Sequence, residues 1–173
     1  MALLPILIAP DKRLKTVAKA VGAVNDEVRR LAADMLETMY AAPGIGLAAP
    51  QVGRLLRIVV MDLAEKDQPP EPMTLINPEI LWASEEREVY NEGCLSLPEI
   101  YADIERPARV RFKYLDLAGK EHTREADGLL ATCVQHEIDH LNGVLFVDYL
   151  TLVKRNMILR KLEKQKKRGE FDE

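Results

Sequence analysis

The chain has 173 residues, 47% apolar and 30% charged, with a net charge of −4. That is enough to bury a sizeable core, and its bulk charge excludes general nucleic-acid or DNA binding by electrostatics alone. No apolar run approaches the ~20 residues that would span a bilayer, and the N-terminus lacks the basic region and cleavage site of a signal peptide. A cytoplasmic enzyme with reduced thiols at Cys94 and Cys133 is the expected class.

Met1 to Val24 reads as an extended arm with short turns. Asn25 then opens an amphipathic helix, with Asp26 and Glu27 in the first turn where the helix dipole favours them. Val28, Leu31, Ala32, Met35, Leu36 and Met39 form one apolar stripe to about Tyr40, and Pro43 stops the helix. Gly44 to Gln51 follows as a glycine- and alanine-rich loop, where the backbone can closely approach another group. A tight crossing between helix and strand would need the same residues. Gln51 stands out because a side-chain amide on a rigid loop can donate a hydrogen bond to a developing oxyanion.

Leu55 to Asp62 is expected to be a strand, Ala64 to Pro72 an exposed loop, and Met73 to Trp82 and Glu85 to Tyr90 further strands. Asn91 to Pro98 follows, with Gly93 and Pro98 bracketing Cys94. Arg109 to Leu115 is a half-buried strand, Leu117 to Lys120 a turn, and Glu121 to Glu125 the returning strand, with His122 as an exposed strand residue. A basic helix is expected from about Thr151 to Arg168, before an acidic tail over 169–173.

The remaining stretch, Thr132 to Gly143, holds two of the three histidines. Asp127 is the expected N-cap, and Asn142-Gly143 the stop. On a helix, His136 and His140 lie one turn apart on the same face, with Glu137 beside them. Two imidazoles at that spacing can grip one metal ion, and an adjacent carboxylate can move protons for its water. A buried helix whose histidines merely bond carbonyls is the plainer alternative. Cys133 and His140 are seven residues apart, roughly 10 Å along a helix rising ~1.5 Å per residue. Metal bonds of about 2.0–2.3 Å therefore favour Cys94, from a separate segment, as the third ligand. Cys133 is read as a small apolar packer beside the site.

Three motifs stand in order: Gly-Ile-Gly-Leu-Ala-Ala-Pro-Gln from Gly44, Glu-Gly-Cys-Leu-Ser from Glu92, and Gln-His-Glu-Ile-Asp-His-Leu from Gln135. Together they resemble the peptide deformylases over nearly the full length. The resemblance implies an α+β fold: antiparallel sheets around a central helix bearing His-Glu-x-x-His, plus an N-terminal and a C-terminal helix. One catalytic domain would span 1–173.

It also implies a metal-dependent hydrolase that removes the formyl group from N-formylmethionyl nascent proteins and releases formate. Cys94, His136 and His140 would hold a divalent ion whose hydroxide attacks the formyl carbon. Glu137 would be general base and then acid. Gln51 and the backbone N–H of Leu95 would hold the oxyanion, and Gly46 would align the substrate as an added strand. Iron(II) comes first among the ions, with zinc, nickel or cobalt as alternatives. Ile45, Leu129 and Cys133 are candidates for the methionine pocket, though core packing would also account for them.

Relatives often carry a basic residue near the position of Tyr101, so the substrate rim departs from the pattern. The basic C-terminal helix suggests a ribosome contact; a solvated face is the plainer reading. Two rivals are weighed: a zinc endopeptidase, which needs a His or Glu ligand downstream, although no histidine follows His140; and a non-enzymatic metal- or RNA-binding module, which leaves Gln51 and Glu137 without a role.

Overall fold

A computed structural model describes residues 2–170. Helix α1 covers Asp26–Ala41, and the Asn25 side chain accepts from the backbone N–H of Val28 at 3.0 Å as an N-cap. Seven strands follow: β1 Gly46–Ala48, β2 Ile58–Asp62, β3 Pro72–Ala83, β4 Arg87–Cys94, β5 Leu97–Pro107, β6 Val110–Leu115 and β7 Glu121–Ala126. Helix α2 covers Gly128–Leu141 and α3 covers Leu152–Lys167. The expected α+β architecture holds, with all strand pairings antiparallel.

Strands β1-β2-β3-β6-β7 form one sheet in that order, and β4-β5 form a separate ribbon. The five residues of β2 are all buried because both faces of the sheet are covered. Val59 and Met61 meet Val134, Ile138 and Leu141 of α2. Ile58 and Val60 point the other way, toward Val28, Ala32, Met35 and Met39 of α1. A third cluster joins Leu97, Ile100 and Ile104 of β5 to Leu145, Phe146, Val147 and Leu162. Helix α2 thus lies between the large sheet and the ribbon, which fixes the face it turns to each.

The N-terminal arm is extended apart from a tight turn over Lys12–Lys15. It stitches the site segments together through backbone bonds: Leu7 N–H to Gln51 O at 2.7 Å, Ala9 N–H to Ser96 O at 2.9 Å and Ala18 N–H to Leu141 O at 2.8 Å. At the end of α2, Gly143 adopts φ +74°, and an added Cβ would come within 2.6 Å of Lys15 O. Only glycine fits both the left-handed turn and that contact.

Four readings are corrected. Residues Gly44 to Gln51 are not only a loop: they contain β1 and the start of a tight turn over Ala49–Val52, and β1 exists only because β2 offers it a neighbour. Leu97–Pro107 is a long strand that the sequence reading did not assign; Pro98 and Pro107 at its ends disguise its alternation. Asp127 occupies the N-cap position of α2 in extended backbone, but its side chain makes no capping bond. His122 is only half-exposed: its Nε2 lies 2.6 Å from Asp116 Oδ2, and its ring stacks on Tyr114. The expected acidic tail falls mostly on 171–173, outside the described residues.

Candidate active site

Three segments far apart in sequence meet over one face of α2. Within that helix, His136 and His140 lie one turn apart and meet edge to face, with ring centroids 5.0 Å apart. Strand β4 delivers Cys94 at its end, just before the turn into β5, with Sγ 3.3 Å from His140 Nε2. One donor atom from each of Cys94, His136 and His140 lies within 4.8 Å of the others. Both histidines are buried and Cys94 is partly exposed. A thiol and two imidazoles converging on one point fit a divalent transition ion such as zinc or iron.

Glu137 is buried beside this set, and its Oε1 has no hydrogen-bond partner among the described residues. Burial pushes its carboxyl up to about 7. An added Cβ on Gly46 would lie 2.5 Å from Glu137 Oε2 and 3.2 Å from Cys133 Sγ, so only glycine lets β1 run this close. Gln51 is likewise buried. Its Oε1 accepts from Ala48 N–H at 2.9 Å, which turns Nε2 toward Ser96 Oγ at 3.0 Å and Cys94 Sγ at 3.4 Å.

Sequence reasoning missed what orients His136. Its Nδ1 lies 2.9 Å from Glu92 Oε1. Arg106 from β5 grips Glu92 with two bonds, 2.7 and 3.0 Å, and reaches Asp139 at 2.8 Å; the Tyr149 hydroxyl donates to the same Asp139 oxygen at 2.7 Å. Burial alone would raise Glu92, but His136 and Arg106 outweigh it and hold the carboxyl below its ordinary value. An ionised Glu92 accepting from Nδ1–H fixes that proton in place, so a bound metal ion would replace the second proton on Nε2, which faces the Cys94 side. Glu92 stood inside a recognised motif, yet only folding reveals its partner.

Burial disfavours charge on both rings. For His136 the bonds to Cys94 and Glu92 prevail and lift it well above its usual value; His140 sinks well below, with the His136 charge adding to burial. Burial also raises the Cys133 thiol, consistent with its reading as a neutral packer. Glu92→Ala is expected to strand the Arg106 guanidinium and free His136. Metal affinity should fall about 10–100-fold in a chelator competition, and denaturant unfolding should show a loss of roughly 3–5 kcal/mol.

A cleft of about 1100 Å³ opens over Gln51, Cys94, His136 and Glu137. Ile45 and Leu129 stand half-exposed on its wall, and Cys133 is buried in both the wall and the core. Leu95, in the turn between β4 and β5, also lines it. Strands β1 and β4 each have only one paired neighbour, and both border the cleft.

A family sequence model described as polypeptide deformylase matches residues 3–156. The chain belongs to the polypeptide deformylase family. It is 58% identical to a peptide deformylase from Bradyrhizobium diazoefficiens, over 98% of this chain and 100% of that protein. Among solved structures, it resembles peptide deformylase from Ehrlichia chaffeensis with a TM-score of 0.91 at 42% identity, covering 98% of this chain and 99% of that one. The same organism's enzyme in complex with actinonin gives 0.91 at 44% identity, over 95% and 98%. Membership makes the chain an enzyme of a metal-dependent family, as the motifs implied. Among the described residues, no helix is long and apolar enough to cross a membrane.

Proposed function

We propose that residues 1–173 act as one catalytic domain that removes the formyl group from N-formylmethionyl nascent chains in the cytoplasm. The observation that carries this reading is the convergence of Cys94, His136 and His140 beside the buried, unpartnered Oε1 of Glu137. Cys94 Sγ, His136 and His140 hold the ion. Iron(II) is the expected resident on the strength of the family resemblance; zinc, nickel and cobalt suit the same donors. When bound, a divalent ion lowers the pKa of its water from about 15.7 toward about 7 and so supplies a nucleophile at neutral pH.

The chain's own residues do the rest. Glu137 takes the proton from the attacking water and delivers it to the departing amine nitrogen. Its carboxylate is poised for this because burial has weakened it as an acid without giving Oε1 a competing partner. Gln51 Nε2–H and the Leu95 N–H stabilise the oxyanion, with Gln51 already oriented by Ala48. Gly46 and the free edge of β1 bind the peptide backbone as an added strand. Ile45, Leu129 and Cys133 accept the methionine side chain. This occupancy is compatible with Cys133 also belonging to the core.

The exposed Lys154, Arg160, Lys161, Lys164 and Lys167 on α3, with Arg168 at its C-cap, form a basic face suited to anionic ribosomal RNA. The endopeptidase rival is weakened by Cys94 sitting at the third-donor position. Formate release from formyl-Met-Ala-Ser tests the main reading. Metal-loaded protein should release formate from this peptide and leave an unstructured protein uncut; internal cleavage without formate would overturn it. In the same assay Gln51→Ala should lower turnover by about 10²–10³-fold, as for one lost oxyanion donor.

A further inference from the structure

A second cavity, of about 370 Å³, lies against another face of α2 than the cleft does. Gln135, Ile138, Asp139 and Asn142, spaced as one stripe of the helix, line it. None of Cys94, His136, Glu137 or His140 borders it. Ile80 of β3 and Pro107 at the end of β5 supply apolar wall on the other side. The ladder of β3 with β6 is irregular there, between Ile76 and Glu79, and Asn77 adopts φ +51°. Bulges of this kind bend a strand and re-aim its side chains beside sites. The volume suits a small organic molecule.

The charges around the cavity say what kind. Arg106 is spent on Glu92 and Asp139, and the Tyr149 hydroxyl closes the same brace. Arg87 pairs with Glu105 at 3.5 Å, and Glu79 with Lys113 at 3.5 Å. Arg57 differs: among the described residues it forms no ion pair. Its Nη1 donates to Ala18 O at 3.3 Å and to Leu141 O at 3.0 Å, and its Nη2 to Asn142 Oδ1 at 2.9 Å. Those bonds cap the C-terminal end of α2, a structural role in itself. They use three of the five N–H groups of a guanidinium. Nε–H and one Nη2–H keep no partner among the described residues. Two N–H groups on adjacent nitrogens match the two oxygens of a carboxylate. Burial with no carboxylate beside it also holds the guanidinium below its ordinary value, so an anion bound there would relieve a cost.

We propose that this cavity binds a small organic carboxylate, with its oxygens on Arg57 and its apolar body against Ile80, Pro107 and Ile138. A bare inorganic anion would leave those apolar walls uncovered, and a neutral molecule would leave Arg57 unmatched. Glu79, Glu105 and Asp139 also border the cavity, but each is already held by a cation, so they oppose an anion only weakly. The wall of Arg106, Asp139 and Tyr149 is fixed by bonds already made, so binding has little ordering to do there. The site stands apart from the deformylase reading and does not depend on it.

The test titrates the full-length, metal-loaded protein with benzoate and with benzamide, its neutral counterpart of the same shape, and follows backbone amide shifts by NMR. Benzoate should give saturable shifts at Ile80, Asn142 and Tyr149, which a carboxylate bound only to the metal in the cleft would not move. Benzamide should bind these positions about 10–100-fold more weakly, the usual worth of charge-assisted hydrogen bonds. Acetate, which has the charge without the body, should also bind more weakly than benzoate. Arg57→Lys keeps a cation at the end of α2 but loses the paired N–H edge, and should weaken benzoate by roughly tenfold. The comparison of benzoate with benzamide needs no variant, so it decides the matter even if Arg57→Lys folds poorly. Benzoate shifts confined to cleft residues such as Ile45 and Leu95, equal affinity for benzamide, or unchanged benzoate binding by a folded Arg57→Lys would each overturn the proposal. None of these results touches formate release, so the deformylase reading stands or falls separately.

Discussion

Glu137→Gln is expected to keep its metal and lose about 10²–10⁴-fold in turnover, the usual worth of a positioned proton-transfer group. The amide fills the same space but can neither take a proton from water nor pass one to the amine. Metal content by elemental analysis, measured beside formate release, separates this outcome from simple loss of the ion. Near-normal turnover would remove Glu137 from the proton path. The same substitution has an opposite effect on the metal-free chain. Burial raises the folded carboxyl from 4.5 to about 7. A group raised in this way contributes stability below pH 4.5 that is lost as pH climbs through 7. The difference amounts to roughly 3 kcal/mol. Metal-free Glu137→Gln should therefore outlast the wild type in denaturant at pH 8, and the gap should close at pH 4.5. With a cation nearby, the carboxylate is favoured again. The acid limb of kcat/KM should consequently lie below pH 7 and be absent from the glutamine variant.

Cys94→Ala is expected to abolish stoichiometric metal binding, and turnover with it. The remaining two imidazoles lie on one helix, with no third donor from among the described residues to close the set. The affinity loss should exceed the roughly 10–100-fold expected for Glu92→Ala, because a ligand is removed rather than its support. Cys133→Ala is the control. That thiol is buried, held neutral and packed against Val134 and Ile138, so the variant should retain the ion. Retention of one ion per chain by Cys94→Ala, or its loss from Cys133→Ala, would exchange the roles of the two cysteines.

How much of this was legible before folding follows from the range of each interaction. Helix α1 and its Asn25 cap, the buried β2 and the pairing of His136 with His140 all depend on residues within a few positions of one another, so periodicity reveals them. Strand β5 was not visible in this way. Its edge residues Glu99, Tyr101, Asp103 and Glu105 look like loop, and its inward Ile100 and Ile104 acquire meaning only against Phe146 and Leu162. Likewise β1 is too short to signal itself without β2 beside it.

The sequence by itself determined that two imidazoles and a carboxylate share a turn of helix, because backbone geometry places residues four apart on one face whatever surrounds them. Its motifs also singled out Cys94 and Gln51 as companions. Only the tertiary structure decided that Glu92 orients His136 and that Arg106, itself held by Asp139, braces Glu92. These partners come from different elements: Arg106 is 14 residues from Glu92, and His136 is 44 from it. Contacts across such distances arise from how α2 is packed between the sheet and the ribbon, and no local pattern in the chain encodes them.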